Sequence, residues 1–298
     1  MLTHANSAPV HPKRVVVMGA GGFVGRALCS RLAADNVPVL RLGTSDIDLL
    51  QDGAHDRLAS MLLPDDAFVA VSARAPVKNS DMLVENLQIA RAMARALKVP
   101  VAHVVNVSSD AVYADSTTPL TEQSLAAPES LHGVMHLARE IVFREEIKAP
   151  LAIVRPTLIY GSGDPHNGYG PNRFRRLLRN GDDIVLFGEG EERRDHVHVD
   201  DVAQLIANLL YRQSTGTLNI ATGQVHSFRE IAELMIRQAQ SPSRILGSPR
   251  KGPMPHGGYR AFDNAACHAA FPAFRYTALS DGLALAWKGE DFAGSNHG

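Results

Sequence analysis

Cysteine is scarce in this 298-residue chain: Cys29 and Cys267 are its only two. That number cannot build a disulfide framework and suits a reducing cytosol. Aromatic residues are also few, 6% of the chain with one tryptophan. Neither sign of charge dominates, since 30 Lys and Arg stand against 31 Asp and Glu. The formal charge of −1 gives no electrostatic reason to expect DNA, RNA or an anionic membrane as the main partner. Long apolar runs are missing too. Stretches such as Val15–Val17 and Val104–Val105 are strand-length, far short of the ~20 residues of a spanning helix. The stretch Met1–Pro12 has no apolar core and no basic leader. It does not read as a secretory signal, and a loose tail on a cytoplasmic protein is expected.

What is present suffices for a globular fold. The chain is 45% apolar and 20% charged, which excludes disordered, collagen-like and low-complexity classes. A chain of this size buries roughly three-quarters of its unfolded surface and needs neither disulfides nor a structural metal. At ~150 residues per domain, it makes one large domain or two smaller ones.

The first half alternates β-branched runs with helix-period stretches. Strands are predicted at Arg14–Met18, Val37–Leu42, Phe68–Val71, Pro100–Val107 and Leu151–Val154. Helices are predicted over Val24–Ala34, Asp81–Lys98 and His132–Lys148; in the second, Leu83, Leu87, Ala90, Ala94 and Leu97 share one face. This pattern predicts an α/β fold, a Rossmann-like doubly wound parallel sheet with helices on both faces. After Pro156 the texture changes. Gly161–Gly170 is loop, Asn172–Arg179 a basic helix, Asp182–Glu192 a strand and turn, and Asp200–Arg212 a helix with an Asp N-cap. The expected organisation is a flexible tail over 1–13, a dinucleotide-binding domain over 14–155, and a smaller C-terminal substrate-binding lobe over 156–298. Some elements of that lobe return to the first domain.

Gly19-Ala20-Gly21-Gly22-Phe23-Val24-Gly25 follows the first strand and opens the first helix. Glycines at 19, 22 and 25 let the backbone turn tightly, approach a pyrophosphate and pack the helix on the strand. The helix N-terminus then supplies amide donors to the phosphates. An ordinary Gly-rich turn is the plain alternative, and the strand–Gly–helix context argues against it. The end of the second strand distinguishes the nicotinamide cofactors: an acidic residue holds a ribose 2′-hydroxyl, a basic one accepts a 2′-phosphate. Here Arg41 precedes Thr44 and Ser45, with no carboxylate before Asp46, so NADP is favoured over NAD.

Further motifs occur in order: Ser108-Ser109-Asp110-Ala111-Val112-Tyr113, Pro119-Leu120-Thr121-Glu122, Arg155-Pro156 with Tyr160-Gly161, and Arg193 through Val202. With the glycine pattern they resemble the extended short-chain dehydrogenase/reductase family, over roughly residues 14 to 287. Its members include nucleotide-sugar epimerases, dehydratases and 4-keto-sugar reductases. The stretch Asp46-Ile47-Asp48-Leu49 looks most like the GDP-fucose synthase and dTDP-dehydrorhamnose reductase branches. The resemblance implies that Ser109 hydrogen-bonds the reacting sugar oxygen and that Asp110 lies near the same carbon. It implies that Asn86 organises a proton relay, that Arg194 contacts the sugar-nucleotide pyrophosphate, and that Asn172 lies in the sugar-nucleotide region. A guanidinium fork suits phosphate, so Arg194 also makes independent physical sense. A plain salt bridge with Asp195 is the structural alternative. Cofactor contacts are expected from Gly19, Gly22, Phe23, Val24, Gly25, Arg41, Ala73, Asn86, His136 and Pro156. The resemblance further implies a homodimer.

The pattern then breaks. The family's Tyr-x-x-x-Lys pair is absent from the chain, and His132 and His136 stand in its two positions. An imidazole is a competent acid or base near neutrality without help from a lysine. Residues four apart share a helix face, so both rings look into the same cleft. Three readings stay open: active acid/base substitutes, relics in a protein that binds cofactor without redox chemistry, and a metal site. The last lacks a Glu or third ligand at diagnostic spacing, so no metal is expected. The first reading is an NAD(P)-dependent keto-sugar reductase or epimerase, with Ser109, Asp110, His132 and His136 at the reaction and Ser109, His132, Asn172 and Arg194 at the substrate. The second is a dinucleotide-binding protein or sensor. His196 and His198 alternate on a strand and read as packing, Cys29 as core, and Trp287 as an anchor for the last helix. Arg173, Arg175, Arg176 and Arg179 suit either a nucleotide diphosphate or a solvated face.

Overall fold

The β-branched runs of the first half line up side by side. In a computed structural model that describes residues 2–289, β1 (Thr3–His4) and β2 (Arg14–Met18) lead into α1 (Phe23–Ala34) and β3 (Val39–Leu42). Then follow α2 (Ala54–Met61), β4 (Asp66–Ala70), α3 (Ser80–Ala96), β5 (His103–Val107), α4 (Leu131–Glu146) and β6 (Leu151–Pro156). The second half runs through β7 (Leu158–Tyr160), α5 (Pro171–Asn180), β8 (Ile184–Phe187), β9 (Arg193–His198), α6 (Val199–Tyr211) and β10 (Ser214–Ile220). It ends with β11 (Val225–Ser227), α7 (Phe228–Ala239), β12 (Ile245–Ser248), β13 (Tyr259–Arg260), α8 (Ala265–Ala270) and α9 (Leu279–Lys288).

The main sheet has seven strands in the order β3-β2-β4-β5-β6-β10-β1. All neighbours are parallel except β1, which pairs antiparallel with β10. Strand β2 has β3 on one side and β4 on the other, with Val16 opposite both Leu40 and Phe68. The chain leaves the carboxyl end of β2 toward β3 and the carboxyl end of β4 toward β5, on the opposite side, and that divergence opens the crevice where doubly wound sheets bind ligands.

Helices cover both faces, which is why β2 is a continuous apolar run. The period of two sends Val15 and Val17 to one face and Val16 to the other. The first face packs on Val24, Leu28 and Leu32 of α1 and on Leu205 and Leu209 of α6. The second packs on Leu58 of α2, Ile89 and Met93 of α3 and Phe143 of α4. Each fully buried valine or leucine contributes about 1.5–3 kcal/mol. A smaller core in the C-terminal lobe gathers Phe174, Leu186, Ile231 and Leu283 from α5, β8, α7 and α9. A capping box between Ser227 and Glu230 starts α7.

Three details depart from the expectations. Thr3–His4 is no loose tail but an edge strand, with the His4 ring bonded to Ser214 Oγ at 2.8 Å. Helix α2 fills a gap where none is predicted. The N-cap of α6 is His198, whose Nδ1 accepts from the Asp200 N–H at 3.3 Å, so Asp200 is not the cap. From the second half of the chain, α6 shares the core of α1 and β10 pairs with β6. Among the described residues, no helix is long and apolar enough to cross a membrane.

Candidate active site

Strand ends, the glycine turn and the start of α4 meet in a cleft of about 740 Å³ at the carboxyl edge of the sheet. Its floor is the turn between β2 and α1. Gly19 has φ +100°, and a Cβ there would lie 2.7 Å from the Ser72 nitrogen. At Gly25 a Cβ would fall 2.1 Å from the Gly19 carbonyl oxygen. The first glycine therefore lets the turn close against β4, and the second lets α1 sit on the turn. Gly21 faces open space, so the bare amides of the helix N-terminus are left for an anionic group. This cradle fits a dinucleotide pyrophosphate.

Gly19, Gly22, Phe23, Val24, Ala73, Pro156, Ser109, Asp110, His132, His136 and Arg194 all line the cleft. Gly25 lies beneath it. Asn86 is buried and works on the backbone: its Oδ1 accepts from the Arg74 N–H at 2.8 Å, and its amide donates to the Arg74 and Met82 carbonyls. It shapes the loop after β4 without reaching the cleft wall. Asn172 does the same for the loop after β7, accepting from the Gly161 N–H at 3.0 Å and donating to the Ile159 carbonyl.

Arg41 is exposed and outside the cleft wall. Leu40 and Leu42 face the core under α2 and α3, so alternation turns Arg41 toward α1. Thr44, Asp48 and Arg74 line the cleft instead. Thr44 and Asp48 belong to stretches the sequence already points to; Arg74 does not, because Asn86 places it through a contact between two elements.

Another part of the cleft wall is built on a short helical turn, Asp110–Val112, after β5. Ser109 caps it, its Oγ accepting from the Ala111 N–H at 3.2 Å. Arg260 reaches across from β13. Its Nε donates to Asp110 Oδ2 at 3.2 Å and its Nη2 to the Asp110 and Tyr113 carbonyls at 2.6 and 3.3 Å. Gly133 lets α4 approach this turn; a Cβ there would lie 2.1 Å from the Ala111 carbonyl oxygen.

Below lies a buried ionic frame. Glu140 accepts from Ser108 Oγ at 2.6 Å and from Arg155 Nε and Nη2 at 2.9 and 2.6 Å. Arg139 donates to Asn106 Oδ1 and to the carbonyls of Ala70, Ser72 and Val107 at 2.6–3.0 Å. Burial lowers its pKa to about 10 against the pull of Glu140. This frame ties the ends of β4 and β5 to α4.

The two imidazoles meet edge to face, centroids 4.7 Å apart and planes at 88°. Burial pulls the His132 pKa down; Asp110 opposes that and His166, from the loop before α5, adds to it. His136 is pulled far below the ordinary value by burial, and His132 and Arg139 reinforce the shift. Both rings are therefore neutral near neutral pH. Among the described residues, no group of three His, Cys, Asp or Glu side chains is placed to hold a metal ion.

Arg194 pairs with Glu192 at 3.1 Å, not with Asp195. Asp195 is occupied by Thr222, Gly223 and Thr157, and burial lifts its pKa to about 6. The basic helix is largely structural. Arg175 and Arg179 donate to carbonyls near the end of α9, and Arg176 donates to Asn167 and Asp164. Trp287 stacks under Arg179 at 5.6 Å and anchors α9. A second cavity of about 770 Å³, between α1, α6 and the Phe271–Arg275 segment, shares no lining residue with this cleft.

Comparison with known proteins agrees with this fold. A dTDP-L-rhamnose 4-epimerase from Burkholderia thailandensis is 27% identical, over 96% of this chain and 93% of that protein. A GDP-L-fucose synthetase from Naegleria fowleri, solved with NADP, superposes with a TM-score of 0.81 over 96% of each chain at 17% identity. A UDP-glucose 4-epimerase from Thermus thermophilus, solved with NAD, gives 0.76 over 92% of this chain and 97% of that one at 20% identity. At such identities the two structures establish the fold alone. The model of the NAD dependent epimerase/dehydratase family matches residues 15–221, from β2 through β10, and the chain belongs to that family.

Proposed function

We propose that this protein binds NADP or NAD across the Gly19–Gly25 cradle and acts on a nucleotide-activated sugar, as a keto-sugar reductase or epimerase. The observation that carries this reading is convergence: Ser109, Asp110, His132 and His136 line the same cleft as the glycine turn. When bound, the nicotinamide supplies the redox chemistry. The protein's part is to hold and polarise. Ser109 and His132 would meet the reacting oxygen, His136 the ribose, and Arg194, on the cleft wall beside Glu192, the sugar-nucleotide pyrophosphate. For a 2′-phosphate, Arg74 and Thr44 are the groups in the cleft wall, in place of Arg41. The reading extends to a cytoplasmic homodimer formed through α3 and α4, on which Val84, Val134 and Ile141 are exposed.

The second reading, a dinucleotide-binding protein without redox chemistry, draws on one observation. A neutral His136 supplies no fixed charge to the site. Absorbance of the reduced nicotinamide decides between them. Purified protein, NADPH or NADH and a panel of 4-keto nucleotide sugars are expected to show oxidation. His132→Ala should slow it by about 10²–10³, the usual loss for one donor at a reacting oxygen. Tight cofactor binding with no oxidation and no change of sugar stereochemistry would favour the binding protein.

A further inference from the structure

The two cleft imidazoles have no hydrogen-bond partner in the protein, and in each ring the Nδ1 atom is the buried one. Both rings nevertheless line the cleft, so the edge carrying Nε2 is what each gives to its wall. The edge-to-face contact contains no N–H···N bond, and the two rings do not share a proton. A neutral imidazole carries its proton on one nitrogen only. On Nδ1 that proton would be a buried donor without an acceptor, the rarer and costlier defect; a bare Nδ1 lone pair is the milder one. A doubly protonated ring would have the same orphaned donor plus a buried charge, with Arg139 beneath His136 and His166 facing His132; Asp110 alone favours it.

We propose that His132 and His136 rest as neutral Nε2–H imidazoles, two fixed donors aimed into the cleft that grip oxygen acceptors and do not serve as proton-accepting bases. The acceptors follow from the dinucleotide and keto-sugar reading above: a carbonyl oxygen at His132 and a ribose hydroxyl at His136. The tautomer itself does not depend on that reading. The site is thereby matched to a ketone-bearing sugar, whose oxygen needs donors, over an alcohol that must lose a proton.

Nitrogen NMR on the full chain labelled with ¹⁵N-histidine tests this without any ligand. The two rings are assigned with His132→Gln and His136→Gln, and long-range proton–nitrogen spectra near neutral pH should show protonated Nε2 and bare Nδ1 in both. Protonated Nδ1, an exchange average, or a cationic ring would overturn the proposal. Substitution gives a second test with NADPH as the probe. Glutamine places an amide donor near the reach of Nε2, and glutamate offers only acceptors. His136→Gln should hold NADPH within about threefold of the parent, and His136→Glu should lose at least about tenfold. Equal losses, or better binding by the glutamate, would contradict a donor role. A protein that binds no NADPH at all would sink the dinucleotide reading, and the spectra alone would then decide the tautomer.

Discussion

His132 and His136 lie four residues apart on α4; His196 and His198 lie two apart on β9. The helical pair opens on a cleft and makes no hydrogen bond within the protein. The strand pair is enclosed. The His196 ring bonds the Arg194 carbonyl through Nδ1 at 3.2 Å and packs edge-on against Phe228, while His198 caps α6 and packs against Tyr160. All four are neutral because burial disfavours the imidazolium. What separates them is where the remaining Nε2 edge ends up: on the cleft wall in the helical pair, and for His196 buried beside Phe228 without a partner. Neutral imidazoles serve as packing in one place and as donors in the other.

Acid should break this equality of charge state most severely. The His196 pKa is lowered from 6.5 to about 3 by burial, so below pH 6.5 the unfolded chain binds a proton that the folded one refuses. Stability contributed by keeping this ring neutral is present above pH 6.5 and is lost as the pH falls toward 3. The full loss is about 4–5 kcal/mol, and His136 acts in the same direction. Denaturant midpoints across this range should fall steeply for the parent and less so for His196→Phe, which also removes the unpartnered Nε2 beside Phe228.

A smaller effect sharpens the contrast within the strand pair. His198→Ala removes the cap of α6 and a ring contact, and should cost about 1–2 kcal/mol in a melting experiment. NADPH binding should be unchanged, because His198 does not line the cleft. Smallest of all is Arg41→Ala. With its side chain turned to the α1 face, the NADPH-to-NADH preference should shift by less than about twofold. A tenfold shift would return Arg41 to the cofactor site.

Sequence patterning revealed the sheet well, because strands buried on both faces leave an unmistakable apolar run, as at Val15–Val17. Helix α2 leaves no periodic signal, because it buries only Ala54 and Leu58 within eight residues. Thr3–His4 has no pattern to show; its pairing depends on where Ser214 ends up. At the site, the glycine turn, Ser109, Asp110 and the two histidines were legible because local motifs carry them. Asn86 and Asn172 were legible as residues but not as functions, since each spends its amide on another element's backbone. Arg74 and Arg260 left no local signal, and only the folded chain brings them to the cleft loop and to Asp110.

The clamp of Arg260 on the Asp110 turn spans 150 positions of the chain. A growing chain on the ribosome completes the glycine cradle and the first strands long before residue 260 emerges. This end of the cleft is thus locked well after the glycine turn, and a chain cut short before β13 would lack the clamp on the Ser109–Asp110 turn. The geometry of that turn therefore depends on a residue made late, and its final shape is set only after most of the chain has been synthesised.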